Sequence, residues 1–345
     1  MPILRCAGAS RIGQTADYFG HMPFQNHRNT IQNGEAMKKM RFVVSLVTSD
    51  NDYQIEQAVA AEEAARRLGV DVQIIYADND SITQSQQLLK IIQSNIDSPP
   101  NAIVFEPVGG TALPQVARAA AAAGIGWVVL NRDVDYVAEL RRAYRIPIFA
   151  VTSDHEEIGR IQGNQFKALL PKGGSVLYIQ GPSESIATKH RTTGMYETKG
   201  DVQVKLVKGN WTESSAYKAI SSWLRLSTSR QSHMDVIAAQ NDAMAIGARK
   251  AFQELPENAG RDRWLNLPYL GVDGVSKTGL SWIKRGLLSA TVIVPPNASK
   301  ALEMLVQAIQ SGATPPERTT TIPVAFPSID VLAETQSDKA RILTV

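Results

Sequence analysis

Cys6 is the only cysteine among 345 residues, so the chain has neither an internal disulfide framework nor a cysteine-ligated zinc site, and thiols say nothing about its compartment. No run of about 18 apolar residues occurs, which removes a membrane-spanning helix. Charge of one sign is also scarce. A formal net charge of +3 over this length is too small to make nucleic acid or an anionic membrane the main partner. The hydrophobic fraction of 43% and charged fraction of 20% are those of soluble globular proteins, which excludes disorder, collagen and coiled coil.

Familiar signatures are missing as well. The first 36 residues lack the apolar core of a secretory signal, because Arg5, Arg11, Asp17, His21, His27 and Arg28 interrupt every candidate stretch. Gly8 to Thr15 reads GASRIGQT, with Gln14 where a phosphate-binding loop needs lysine and no strand before it. Thr48 to Tyr53 contains no glycine, so a dinucleotide pyrophosphate has no close backbone approach after the first strand. His21, His27, His155, His190 and His233 show no metal-binding spacing and read as scattered surface or capping residues. No G-x-S-x-G elbow occurs, and Ser183 and Ser185 read as loop-shaping or helix-capping residues. No catalytic residue, metal ligand or cofactor is expected.

What is present, from residue 41 on, is an alternation of short apolar runs with helical periodicity, the pattern of parallel sheets with crossover helices. Strands are predicted at 42–47, 72–76, 102–105 and 127–130. The intervening helices carry Ile55, Ala58, Ala61, Ala65 and Leu68 before Gly69, Leu89, Ile92 and Ile96 before Pro99, and an alanine-rich stretch over 114–123. A second series is predicted from Ile148, with strands at 175–179, 202–207, 236–238, 270–272 and 290–294. A late helix carries Leu302, Leu305, Val306 and Ile309 and ends at Gly312. Residues 1–40 fit neither series and read as a poorly ordered extension.

Ligands of open parallel sheets sit beyond the carboxyl ends of the strands. Those positions here are rich in hydrogen-bonding groups: Asp50, Asn51, Asp52 and Tyr53; Asn131, Arg132 and Asp133; Gln240, Asn241 and Asp242; and Asp273. Carboxylates, amides and guanidinium forks suit the vicinal hydroxyls of a sugar, and aromatic rings suit its C–H faces. For Asp50, Asp133 and Asp242, capping of the following helix is an equally good reading.

Three segments carry a resemblance. Ala239 to Ala248 reads AQNDAMAIGA, Gly271 to Gly274 reads GVDG, and Gly286 to Val292 reads GLLSATV. In order and spacing they resemble the type I periplasmic sugar-binding proteins, ribose-binding branch, over roughly residues 41–333. The resemblance implies two Rossmann-like α/β lobes with parallel sheets and a three-crossing hinge near 152, 293 and 324. The lobes would be 41–152 plus 294–324, and 153–293 plus 325–345. It also implies ligand contacts. Asn241 and Asp273 match the second lobe's amide and carboxylate, Arg132 and Arg191 the arginine of each lobe, Asn51 and Tyr53 the first-strand loop's amide and aromatic wall, and Trp211 a second wall. Asn131 stands where an aspartate is usual, Gln54 replaces a second aromatic, and Val294 takes a hinge position that often carries glutamine. The pocket is therefore expected to depart from a ribose-specific one. From the residues alone, Arg132 and Arg191 could instead pair between lobes, Trp211 could be core, and Tyr53 could be an exposed loop aromatic.

The implied function is capture of a small sugar or polyol, with lobe closure and delivery to an ABC transporter permease, by a monomeric, non-enzymatic protein of the periplasm that is not integral to the membrane. The competing reading is a sugar-sensing module. A LacI-like repressor core would need a DNA-binding head, and residues 1–40 show neither two helical periods nor a concentrated basic face.

Overall fold

The computed structural model describes residues 39–342 except 95–98, 110, 111, 133 and 231; for residues 227, 230, 259 and 336–342 it describes the backbone alone. The chain from Lys39 onward forms one compact unit. The expected extension over 1–40 lies outside the described residues except for Lys39 and Met40. Those two already belong to the body, since Lys39 pairs with Asp71 at 2.6 Å and the Met40 carbonyl accepts from the Asp71 amide at 2.8 Å.

The first sheet is built by β1 (Arg41–Leu46), β2 (Asp71–Tyr76), β3 (Ala102–Phe105), β4 (Gly126–Leu130) and β5 (Ile148–Ser153). Their connecting helices are α1 (Asp52–Leu68), α2 (Ser81–Ile92), α3 (Pro114–Ala122) and α4 (Tyr136–Ala143). Alternate strand residues point to opposite faces, and both faces are covered. Phe42, Val44 and Leu46 meet α1 with Leu302 and Leu305, while Val43, Ile103, Phe105 and Trp127 meet Val116 and Leu140. Two-sided burial is why these strands read as continuous apolar runs. Phe105 and Trp127 pack with ring centroids 4.6 Å apart, and truncating either to alanine would remove about 3–5 kcal/mol.

The second sheet is built by β6 (Ser175–Gln180), β7 (Gln203–Lys208), β8 (Val236–Ala239) and β9 (Tyr269–Leu270). The helices α5 (His155–Leu169), α6 (Ile186–Thr198), α7 (Glu213–Leu224), α8 (Ser227–Arg230), α9 (Asp242–Gln253), α10 (Arg261–Leu265) and α11 (Gly279–Lys284) surround it. Leu177, Ile179, Ile237 and Ala239 face α7 and α9, and Val176, Tyr178, Val236 and Ala238 face α5 and α6. Strand β10 (Thr291–Ile293) then leads out to α12 (Asn297–Ser311), β11 (Arg318–Thr321), β12 (Val324–Phe326) and α13 (Ile329–Ile342).

The strand orders are β11-β5-β4-β3-β1-β2 and β7-β6-β8-β9, both parallel, with β10 and β12 forming a separate antiparallel pair. The chain therefore passes between the sheets three times. It runs from β5 into α5, from β10 into α12, and from β11 through β12 into α13, which packs on α5. An apolar knot of Ile158, Ile161, Val272, Val292 and Val294, with Tyr53 and Ala325 against it, sits at these crossings. Among the described residues no helix is long and apolar enough to cross a membrane.

Two expectations need correcting. Ile148 does not open the second series; its strand pairs in register with β4 and with β11, so it belongs to the first sheet. The last strand of the second sheet stops at Leu270 and continues only as isolated bridges, Leu270 to Ala290 and Asp273 to Ile293. The helix expected to include Ile96 is described as far as Ile92, and Ile96 lies outside the described residues.

Candidate ligand-binding cleft

The carboxyl ends of the two sheets face one cleft of ≈ 390 Å³, and all eight residues singled out in the sequence line it. Asn51, Tyr53, Asn131 and Arg132 come from the first lobe. Arg191, Trp211, Asn241 and Asp273 come from the second.

Helix starts position several of them. Asn51 caps α1, its Oδ1 accepting from the amides of Tyr53 (3.0 Å) and Gln54 (3.2 Å), and Asn241 caps α9 by accepting from the Met244 amide at 2.9 Å. Both then have a side-chain N–H₂ left to donate. Both give it to the backbone carbonyl of Trp211, Asn241 at 2.8 Å and Asn51 at 3.3 Å. Tyr53 stands in the first turn of α1 and donates its hydroxyl to the Pro295 carbonyl at 3.3 Å.

Arg191 is placed by backbone contact. A Cβ on Gly159 would meet the Arg191 carbonyl oxygen at 2.1 Å, and one on Gly194 the Glu156 carbonyl oxygen at 2.0 Å, so α5 and α6 cross with their main chains touching. The buried guanidinium donates to the Gln240 carbonyl and stands 5.5 Å from the centre of the Trp211 ring. Gly181 serves the indole in the same way, since a Cβ there would meet Trp211 Cζ2 at 2.3 Å. Backbone strain collects here as well. Asn131 (φ 56), Trp211 (φ 61) and Asp273 (φ 106) all lie in the left-handed region that side chains avoid.

Neither arginine forms an ion pair among the described residues, so the alternative of an inter-lobe salt bridge has no support there. Burial lowers the Arg191 pKa, with Asp273 the main opposing charge. Burial also lifts the Asp273 carboxyl to about 7, against the pull of Arg191 and with the push of Asp52 and Glu106. Each ionic form has thus lost water without gaining a full partner.

Some roles differ from expectation. Capping falls to Asn51 and Asn241, one residue beyond or before the acids weighed for it: Asp50 is exposed, and Asp242 is buried with its carboxylate accepting from Thr291 Oγ1 (2.7 Å) and the Gly274 amide (2.8 Å). Asp133 lies outside the described residues. Asn131 lines the cleft, but its Oδ1 is taken by Ser153 Oγ (3.3 Å) and by Asn297 Nδ2. His155 is neither a surface nor a capping residue. It starts α5, is 8% exposed, and lines the cleft, with both ring nitrogens unpartnered. Desolvation, then Arg191 and Arg132, hold its pKa well below the ordinary histidine value. Trp264 is buried against Phe252 in a stacked pair with centroids 4.6 Å apart.

Sequence reasoning missed Glu106 and His155 as cleft residues, whereas Gln54 lines the cleft at the position expected for a second aromatic. Glu106 had a readable signal: it follows β3 directly, as Asn131 follows β4.

Two parallel sheets whose carboxyl ends close on one polar cleft, joined by three chain crossings, define a two-lobed solute-binding protein of type I architecture. The chain belongs to the periplasmic binding protein domain family, whose model matches residues 42–314, as the motifs over 239–292 implied. The ribose import binding protein of Bacillus subtilis is 27% identical over 261 residues, 75% of this chain and 77% of that protein. The D-allose-binding periplasmic protein of Escherichia coli is 26% identical over 289 residues, 81% of this chain and 88% of that protein. A crystal structure of an ABC transporter periplasmic solute-binding protein from Actinobacillus succinogenes, with bound D-allose, superposes with a TM-score of 0.71 at 21% identity. It covers 86% of this chain and 100% of that one.

Proposed function

We propose that the chain binds an uncharged monosaccharide or polyol between its lobes, closes on it, and presents the closed form to the permease of an ABC importer. The observation that carries this reading is the state of the cleft. Arg132, Arg191 and Asp273, joined by Glu106, converge there with amides and two aromatic residues, and none of these charges pairs with another at ion-pair distance among the described residues. Buried polar groups left bare are costly. A ligand carrying several hydroxyls, each both donor and acceptor, satisfies both signs of charge at once.

The moving bodies are residues 41–152 with 294–324, and 153–293 with 325–345, hinged at the three crossings. Ligand held by one lobe adds contacts to the other, which shifts an open ensemble toward the closed one. Binding of this kind needs no bond chemistry, so the protein acts as a carrier and not an enzyme. It works in the periplasm, as relatives named for import and for the periplasm suggest, and it works there as a monomer.

Isothermal titration calorimetry against D-ribose, D-allose, D-xylose, xylitol and myo-inositol tests this. One-site binding at micromolar or tighter affinity to at least one of them is expected. Heat-silent titrations throughout would refute it.

A further inference from the structure

Glu106 is a carboxylate that the eight-residue site leaves unexplained. It is 7% exposed and lines the cleft. Its main chain is fixed, the amide donating to Ser45 of β1 at 2.9 Å and the carbonyl accepting from Gln84 Nε2 at 2.8 Å. The side chain is held by residues of its own lobe. Oε2 accepts from Gln54 Nε2 at 2.9 Å, while Gln54 Oε1 accepts from the Val47 amide at 2.9 Å, so the carboxamide cannot turn over without losing both bonds. Asn131, in the same lobe, also hydrogen-bonds the carboxylate, while its own oxygen accepts from Ser153 and Asn297.

We infer that Glu106, aimed by Gln54, is the first lobe's ligand-gripping carboxylate, and that it selects a neutral ligand with a hydroxyl donor at the ring position facing β3. The inference rests on the sugar-binding reading of this cleft. Burying a carboxylate with only part of its accepting capacity filled is unfavourable, and Gln54, Val47 and Gln84 keep it in place. A hydroxyl donating to the carboxylate reduces the penalty, and the same hydroxyl can accept from Arg132, the cation that acts most strongly on Glu106. One hydroxyl between a fixed carboxylate and a guanidinium is a directional contact, so a ligand lacking it withholds a partner from a buried carboxylate and from a half-buried guanidinium. Rejection of the deoxy analogue is therefore strong, because a site built to bond a hydroxyl discriminates more sharply than one built to exclude a methylene. Gln54 is a positioning residue; it acts through Glu106.

The test uses calorimetry on the full chain with D-ribose, D-allose, D-xylose, xylitol and myo-inositol, followed by the monodeoxy analogues of whichever binds most tightly. Glu106→Gln is expected to lose at least about tenfold in affinity for the parent ligand, with the melting midpoint of the ligand-free protein unchanged or higher. For one deoxy analogue, wild type and Glu106→Gln should bind equally weakly, which identifies the hydroxyl that Glu106 holds. Glu106→Asp, which retracts the charge but keeps it, should also weaken the parent ligand. Gln54→Met should weaken it less, and should add nothing to Glu106→Gln. Affinities of both Glu106 variants within twofold of wild type, or a penalty that persists for every deoxy analogue, would overturn the inference while leaving the sugar reading intact. Failure of wild type to bind any of the five probes would overturn the sugar reading, and the inference with it.

Discussion

The side-chain amide of Asn51, at the start of α1, reaches the backbone carbonyl of Trp211 in the other lobe at 3.3 Å. Asn241 donates to the same carbonyl at 2.8 Å from within the second lobe, so one oxygen joins a contact inside a lobe to a contact between lobes. Asn51 also caps α1 with its other side-chain atom. Helix capping and a contact between the lobes are thus carried by a single residue.

Aspartate caps a helix as well as asparagine does, but it cannot donate to Trp211. Asn51→Asp is therefore expected to leave the thermal midpoint nearly unchanged while weakening ligand affinity by about three- to tenfold, the worth of one modest hydrogen bond. Asn51→Ala, which removes the cap too, should lower stability by about 1 kcal/mol as well. Calorimetry and thermal melts on the pair check this; equal affinity for wild type and Asn51→Asp would detach Asn51 from closure.

Arg191→Ala and Asp273→Asn are each expected to abolish detectable sugar binding without altering the far-ultraviolet circular dichroism. Removing one partner of a desolvated charge cluster costs about 2–5 kcal/mol of binding. Unaltered calorimetric affinity in both variants would remove these residues from the site.

Asp273 also sets a pH dependence. Its folded-state pKa is raised to about 7 from the ordinary 3.8, so the folded ligand-free protein holds this proton more tightly than the unfolded chain does. The stability this contributes is whole below pH 4 and is lost as pH rises through about 7. Relative to Asp273→Asn, the wild type should therefore melt progressively lower between pH 5 and pH 8, by a difference on the order of 2 kcal/mol for a carboxyl still partly open to the cleft. Burial also raises the Glu106 and Asp242 pKa values and lowers that of His155, and the Asp273 charge adds to the Asp242 shift, so the difference between the two proteins reports Asp273 together with the groups on which its charge acts. Melts that stay parallel across this range would contradict the assignment.

Much of the fold was readable because parallel strands buried on both faces must be apolar throughout. β3 was predicted with its observed bounds, and β1 and β2 within a residue at each end. β11 could not be read. Its sequence is RTTT with every residue at least partly exposed, and it is a strand only because β5 offers it an edge. α4 escaped because Tyr136, Val137 and Leu140 give barely one turn of apolar spacing. In the cleft, the rule of looking just past strand ends found Asn51, Asn131, Asn241 and Asp273 because each lies beyond the carboxyl end of its strand in a polar segment. Glu106 obeys the same rule, but the Pro107 after it disguised the position as loop. His155 depends on two arginines distant in sequence, and no local pattern announces its burial.

Trp211 should report ligand binding by fluorescence. Its indole lines the cleft, packed on Gly181 and under Arg191, whereas Trp127, Trp223 and Trp264 are buried in lobe cores and Trp282 lies on α11 away from the cleft lining. In a Trp211→Phe protein shown by calorimetry to bind, the ligand-induced change should largely vanish. An undiminished change would take the indole out of the pocket.

Small-angle scattering, with and without the sugar that calorimetry selects, tests closure on a ligand most directly. Two lobes hinged at three crossings should compact on saturation. The radius of gyration should fall at constant molecular mass, with a titration midpoint equal to the calorimetric dissociation constant. Scattering curves that superimpose while the binding site is saturated would contradict ligand-driven closure.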